Sequence, residues 1–221
     1  MHTIFESILN AVECPVCLKC GSYYVRNNYF CATCGFDFIQ NFTKLRQHIY
    51  NDTLAVNSFL CWEKFESDSC SELVYLLKTR SSQSAWCWYV NIFESEICDL
   101  IRPEKNSVLI AVPGSKKSFH TTYFTNEIQR LTGCESLFAI QKKPNAKPQK
   151  YNNVNDRSLI EFEINEEFTE RLLSADWIYL IDDIVTTGST LINIRKTLQT
   201  FLLINGKTTV NISALTLFYR T

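Results

Sequence analysis

Two adjacent carboxylates, Asp182 and Asp183, close an apolar run, Tyr179-Leu180-Ile181, and lead through Ile184-Val185 into Thr186-Thr187-Gly188-Ser189-Thr190. A glycine among hydroxyl residues lets the backbone approach an anion closely, and the hydroxyls add donors. Leu191, Ile194, Leu198 and Phe201 or Leu202 then follow at helical spacing. The loop therefore opens a helix whose first N–H groups lack partners and whose dipole favours negative charge. Two carboxylates beside such a cradle can accept hydrogen bonds from a vicinal diol or hold Mg²⁺ through water. The implied ligand is a ribose 5-phosphate, with Thr186, Thr187, Gly188, Ser189 and Thr190 on the phosphate and Asp182 and Asp183 on the ribose hydroxyls.

A second constellation is built from sulfur. Of the 10 cysteines, Cys14, Cys17, Cys20, Cys31 and Cys34 crowd near the start of the chain. Cys17-Leu18-Lys19-Cys20-Gly21 and Cys31-Ala32-Thr33-Cys34-Gly35 are two C-x-x-C-G knuckles, each aiming two thiolates at one point. The trailing glycines are expected to take the positive φ of a knuckle turn. Four thiolates complete a tetrahedral Zn²⁺ site with no open position, so the metal is structural. Cys14-Pro15-Val16-Cys17 is also a C-x-x-C, which would leave Cys20 spare; the matching glycines after Cys20 and Cys34 favour Cys17, Cys20, Cys31 and Cys34. Between the knuckles, Ser22–Val25 and Asn28–Phe30 read as a short hairpin, giving a zinc ribbon. Its aromatic residues Tyr23, Tyr24, Tyr29 and Phe30, with Lys19 and Arg26, suit either stacking on single-stranded nucleic acid or packing against the rest of the protein. The remaining five cysteines have no metal-like spacing and read as small buried apolar residues.

These groups need a scaffold. Ser107–Val112 is a continuous apolar run ended by Pro113-Gly114, as a buried parallel strand would be. Helices are expected near 69–80, 85–101, 121–132, 166–174 and 190–203, and strands at 136–140, 177–181 and 208–217. The segment near 36–60 carries Phe38, Phe42, Leu45 and Ile49 at near-helical spacing. Lys142 to Arg157 is a long polar loop with almost nothing to bury. The alternation predicts an α/β fold with a mainly parallel, doubly wound sheet and ligands at the carboxyl ends of its strands. A small ribbon over 1–45 would precede a larger domain over 46–221.

Composition agrees with such a chain. It has 221 residues, 46% hydrophobic and 20% charged, with net charge −1. A real core is expected, and a globally basic nucleic-acid footprint is absent. Neither a leader nor a membrane span is evident, so the expected location is the cytoplasm.

The stretch ending at Thr190 resembles the phosphoribosyl pyrophosphate (PRPP) signature of type I phosphoribosyltransferases, four apolar residues followed by Asp-Asp-x-x-Thr-Thr-Gly-x-Thr. A four-Cys ribbon placed before it resembles the ComF/GntX-like proteins associated with DNA uptake. Leu76-Leu77-Lys78 looks like that family's apolar-Lys motif, Ile110-Ala111-Val112-Pro113 like its Pro-ended strand, and Gln149 with Arg157 like its Gln…Arg loop element. The resemblance implies displacement of pyrophosphate from C1 of PRPP by a nitrogen nucleophile, with Mg²⁺, and with Arg157, Lys116 or Lys78 adding charge on the leaving side. One departure stands out. The family's Arg-Gly segment after the Pro-ended strand is missing from Ser118–Glu127, where Lys116 and Lys117 are the nearest substitutes. That loss admits a second reading, a PRPP or nucleotide sensor without turnover, with the ribbon touching nucleic acid or protein. Thr186 stands where some purine-salvage members carry an Asp, which excludes an Asp general base there; His48 and His120 are the other candidates for proton transfer.

Overall fold

A computed structural model describes residues 16–23, 29–50, 54–63, 68–79, 83–103, 106–114, 120–143 and 161–220. Helix α1 (Ala32–Phe42) runs directly into strand β1 (Thr43–Tyr50), and β2 (Leu54–Trp62) follows. Helices α2 (Asp68–Thr79), α3 (Gln83–Ile92) and α4 (Glu94–Leu100) lead to β3 (Ser107–Ala111). Next come α5 (His120–Thr132), the short strands β4 (Glu135–Leu137), β5 (Ile140–Lys142) and β6 (Phe162–Ile164), and α6 (Thr169–Ser174). Strand β7 (Trp177–Val185), helix α7 (Ser189–Ile204) and β8 (Asn211–Arg220) complete the order.

The main sheet has six strands in the order β1-β2-β8-β7-β3-β4. Every pair in it is parallel except β1 with β2 at the edge. This is the α/β class, with a mainly parallel sheet, that the alternation of apolar segments predicts. Strand β3 is buried at all five residues because β7 and β4 flank it and helices cover both faces. On one face Phe59, Leu77, Trp86, Phe93, Phe124 and Ile181 share a core; on the other, Val56, Val108, Leu180, Leu191, Ile194 and Leu198 share a second. Helix α7 buries Leu191, Ile194, Leu198 and Leu202, one stripe at helical period, in that second core. The strand order reverses between β3 and β7: β4 lies on one side of β3, and β7 with β8 on the other. In an open α/β sheet, the carboxyl ends beside such a reversal form a crevice.

Several expectations change. Phe38 and Phe42 lie on α1, but Leu45 and Ile49 lie exposed on β1, so one apparent helical run is a helix followed by a strand. The single helix expected over 85–101 breaks at Phe93 into α3 and α4, where Phe93 turns inward to stack on Phe59 with centroids 4.7 Å apart. The strand expected over 136–140 is divided between β4 in the main sheet and β5, which pairs antiparallel with β6 in a separate two-stranded sheet. A division at residues 45/46 would fall inside β1, and Cys17, Phe30, Cys34 and Phe38 share the core of the main sheet's first face. Among the described residues no helix is long and apolar enough to cross a membrane.

Candidate functional site

Strand β7 extends past the apolar run to Val185, in register with β8 through Val185 and Tyr219, so both acids sit within the strand end. Neighbouring strand residues point to opposite faces. Tyr179 and Ile181 belong to the core on the α2–α5 face, which carries Asp183 to that face, and Asp182 falls with Leu180 on the α7 face. The Asp183 N–H donates to Asp182 Oδ1 at 2.9 Å.

Asp183 is buried, 4% exposed. Lys78 Nζ from α2 lies 2.7 Å from its Oδ2, and His120 Nε2 from the start of α5 lies 3.4 Å from the same atom. Neither contact is aligned as a hydrogen bond, so among the described residues Oδ2 is matched by charge and left short of a donor. An orphaned acceptor of this kind fits a ligand hydroxyl or a water carried by a hard cation. Burial lowers the His120 pKa; Asp183 opposes that and Lys78 reinforces it, so the imidazole stays neutral near pH 7. Asp182 keeps part of its solvent contact, yet desolvation among the strand ends, and next the Asp183 charge, push its carboxyl well above the usual range. The Asp182 charge is felt in turn by Lys142 at the end of β5, whose pKa burial lowers and Asp182 partly restores. The two carboxyls also act on each other, and Lys78, which pairs with Asp183, lowers the Asp182 pKa in part as well.

The hydroxyl loop follows at once. Gly188 takes φ 69° and ψ 0° as the N-cap of α7, a left-handed conformation that favours glycine. It offers no side-chain cap to the first helical turn, and the first helical bond runs from the Ile192 N–H to the Gly188 carbonyl at 2.9 Å. The Thr187 and Ser189 hydroxyls are 2.7 Å apart, and the Ser189 N–H reaches Thr187 Oγ1 at 3.4 Å. Thr186 and Thr190 flank them. This is an uncapped helix start ringed by small hydroxyls, the surroundings an anion requires. Beside it, the Val112 N–H donates to the Ile181 carbonyl at 2.9 Å, carrying the β3–β7 pairing one residue past Ala111. Thr186, Thr187, Gly188, Ser189, Asp182 and Asp183 thus stand together at the switch of strand order. Lys116, Gln149 and Arg157 lie outside the described residues.

The sulfur cluster is compact. Sγ atoms of Cys17, Cys20, Cys31 and Cys34 all lie within 4.8 Å of one another, and Cys20 and Cys31 are 3.8 Å apart. A Zn–S bond of about 2.3 Å sets tetrahedral thiolates about 3.8 Å apart, so the donor set could hold a zinc ion. Gly21 takes the expected positive φ of 71°, and its N–H donates to the Cys17 carbonyl at 2.9 Å. Gly35 does not: it lies on α1, where its N–H donates to the Cys31 carbonyl at 2.8 Å, so the second knuckle is a helix start and not a turn of the first kind. Burial raises the Cys17 thiol, but backbone groups of Cys31, Cys20 and Lys19 outweigh it and bring the pKa to about 6, whereas burial and the neighbouring thiols drive Cys34 up to about 12. One thiolate forms readily and the next is then opposed, which is how clustered thiols behave until a cation neutralises them. Cys14, Tyr24 and Arg26 lie outside the described residues, as does part of the expected hairpin. Tyr29 and Phe30 are buried, Phe30 stacking on Phe38 with centroids 4.7 Å apart, and Lys19 pairs with Asp37 at 3.2 Å; Tyr23 remains exposed. Among the other cysteines Cys61, Cys70 and Cys134 are buried as expected, but Cys98 is exposed.

Residue-type reasoning missed two contributors. Lys142 lay in a stretch read only as polar loop, and Tyr50, whose ring lies against Gly188, carried no motif. His48 stacks on Tyr219 with centroids 3.8 Å apart and lies beside Tyr50.

No protein-family model and no curated protein matches the chain. Among solved structures it is similar to a purine phosphoribosyltransferase from Pyrococcus horikoshii Ot3, with 18% identity over 61% of this chain and 83% of that one and a TM-score of 0.36. At that identity and score the likeness bears on neither substrate nor residue roles.

Proposed function

We propose that the chain binds the ribose 5-phosphate moiety of PRPP and belongs among phosphoribosyltransferase-type proteins of the ComF-like kind. One observation carries this reading: a left-handed Gly188 at an uncapped helix start directly follows two carboxylates at the point where the strand order reverses. Thr186, Thr187, Ser189 and Thr190 would surround the phosphate, with first-turn N–H groups of α7 behind it. The orphaned Asp183 Oδ2 would accept from a ribose hydroxyl, and Asp182 would take a second hydroxyl or a magnesium-bound water. Mg²⁺ bound there supplies charge to a departing pyrophosphate, and the raised Asp182 carboxyl is the group most in need of a cation. In the transfer itself a nitrogen lone pair forms the bond to C1 as the C1–O bond breaks. Pyrophosphate leaves with the electron pair, and the nitrogen gives up a proton. Negative charge from the two aspartates favours the cationic character developing at the sugar. Lys116 and Arg157 are proposed on the leaving side. Cys17, Cys20, Cys31 and Cys34 would hold structural zinc, in a cytoplasmic setting where thiols stay reduced.

A second reading, a PRPP or nucleotide sensor without turnover, draws on Lys78. A lysine placed 2.7 Å from Asp183 spends part of that carboxylate's charge inside the protein, and the Arg-Gly segment is missing. DNA handling or a protein partner would then lie with the cysteine end of the chain.

Isothermal titration of PRPP with Mg²⁺ tests the common core of both. Binding is expected in the parent protein and lost in Gly188→Val, whose side chain meets both a positive φ and the ring of Tyr50. A folded parent protein that takes up no PRPP removes the ligand reading. A screen for pyrophosphate release with ammonia and free bases then separates transferase from sensor.

A further inference from the structure

The loop that follows the acids does not shape itself. Gly188 needs a positive φ, and its neighbours Thr187 and Ser189 bond mainly to each other. What presses on it from outside is Tyr50, the last residue of β1, from a strand more than a hundred positions earlier in the chain. The Tyr50 hydroxyl donates to the Thr186 carbonyl at 3.3 Å. A Cβ added to Gly188 would sit 2.7 Å from Tyr50 Cε1 and 2.8 Å from Cδ1, closer than real side chains approach. The ring and the loop backbone are therefore in direct contact, and only glycine permits it.

Tyr50 is itself held. Burial, and then the charge and hydrogen bond of Tyr219, keep its phenol protonated well past the ordinary range, so the hydroxyl remains a donor. Tyr219 pairs with Val185 in the β7–β8 register, and His48, two residues before Tyr50, stacks on Tyr219 with centroids 3.8 Å apart. Burial lowers the His48 pKa, with Arg46 adding to it, so the ring that stacks there is neutral. Tyr50 thus meets the loop where β7 turns into α7, with the rings of His48 and Tyr219 beside it.

We propose that Tyr50 is a positioning residue for the Thr186–Thr190 loop: its ring against Gly188 and its hydroxyl on Thr186 hold the loop in the conformation that receives phosphate. The part of this that concerns phosphate rests on the function proposed above; the part that concerns loop order does not. A consequence follows for the chain as a whole. Helix α1, capped by Cys31, runs without a break into β1, so the helix–strand segment that ends in Tyr50 at the loop begins at the cysteine cluster.

The experiment pairs amide hydrogen exchange over 186–190 with titration of PRPP, in Tyr50→Ala, Tyr50→Phe and Tyr50→Leu. In Tyr50→Ala, exchange in the loop should quicken at least tenfold while β3 and α5 keep their rates, and PRPP affinity should fall about tenfold. Tyr50→Phe keeps the ring and should stay within about threefold of the parent on both measures. Tyr50→Leu keeps bulk without a flat ring and should follow Ala, which also covers the case in which Ala fails to fold. Gly188→Ala should loosen the loop, and adding Tyr50→Ala to it should loosen it no further, because the clash has gone and only the positive φ remains. Unchanged loop exchange in both Tyr50→Ala and Tyr50→Leu overturns the proposal, as does PRPP binding at parent affinity or tighter in a variant whose loop is loosened. If the parent protein fails to bind PRPP while Tyr50→Ala still frees the loop, the phosphoribosyl reading falls and the clasp stands.

Discussion

Replacing Lys78 by Met leaves the Asp183 carboxylate buried with only His120 near its Oδ2 among the described residues, and that imidazole is neutral. At 2.7 Å the gross attraction is about 6 kcal/mol for an effective dielectric of 20, most of it offset by the cost of desolvating both ions. Removing one partner of a buried pair costs about 3–5 kcal/mol because the other charge stays behind. The Lys78 side chain is still 35% exposed, so solvent screens part of the pair and the expected loss is nearer 2–3 kcal/mol. For a chain of this size that lowers the melting temperature by roughly 4–12 °C. Asp183→Asn should cost less, about 1 kcal/mol, because the stranded lysine can turn toward water and the amide keeps the shape. The double variant should then cost less than the sum of the two single ones. Denaturation followed by circular dichroism supplies the check. Additivity within about 0.5 kcal/mol would refute the claim that this pair joins α2 to β7.

Asp182→Asn carries a signed prediction. Its folded carboxyl lies well above the ordinary value, so the native state holds this proton more tightly than the unfolded chain does, and stability declines as pH rises from about 4 toward the folded pKa. The amide removes that decline, so the variant should be more stable than the parent at pH 8 and equal to it below pH 4, while PRPP affinity falls tenfold or more; a variant less stable at pH 8 contradicts the assignment. For the cysteines, elemental analysis should find one zinc per chain, and Cys20→Ser should lose it together with thermal stability, whereas Cys98→Ser, exposed and outside the cluster, should keep both. Full zinc content in Cys20→Ser would transfer the ligand role to another thiol, Cys14 being the nearest in sequence.

Legibility from sequence followed the range of the interactions. The β7–loop–α7 unit could be read because one buried strand, one positive-φ glycine and one helical stripe are local patterns, each with a single structural solution. Phe38, Phe42, Leu45 and Ile49 misled because a spacing of four suits a helix face and also every second step of a strand face; the chain changes period at Thr43, where α1 becomes β1. Gly35 misled for a related reason: the spacing of a knuckle is also the spacing of a helical first turn, and α1 took it. The contacts of Asp183 were beyond such reading. Lys78, His120 and Asp183 come from α2, α5 and β7, and only the packing of those elements brings them together.

The adjacent acids then have unequal tasks, and strand geometry is the reason. Neighbouring positions on β7 face opposite layers, so Asp182 and Asp183 meet different surroundings although their carboxyls still interact with each other. Asp183 turns toward α2 and α5, where burial would make it costly without Lys78. Asp182 turns toward α7 and the β5–β6 pair and keeps part of its exposure; the partly buried Lys142 and, from the other side, Lys78 act on its charge without holding its pKa down. Asp183 is thus balanced in charge but short of a hydrogen-bond donor, and Asp182 is the reverse case, accepting the Asp183 N–H but short of positive charge. On the proposed reading a diol satisfies the first need and a divalent cation the second. A ligand that brings both, as PRPP with Mg²⁺ does, should bind far better than ribose 5-phosphate alone, and the difference should vanish in Asp182→Asn while surviving in Asp183→Asn.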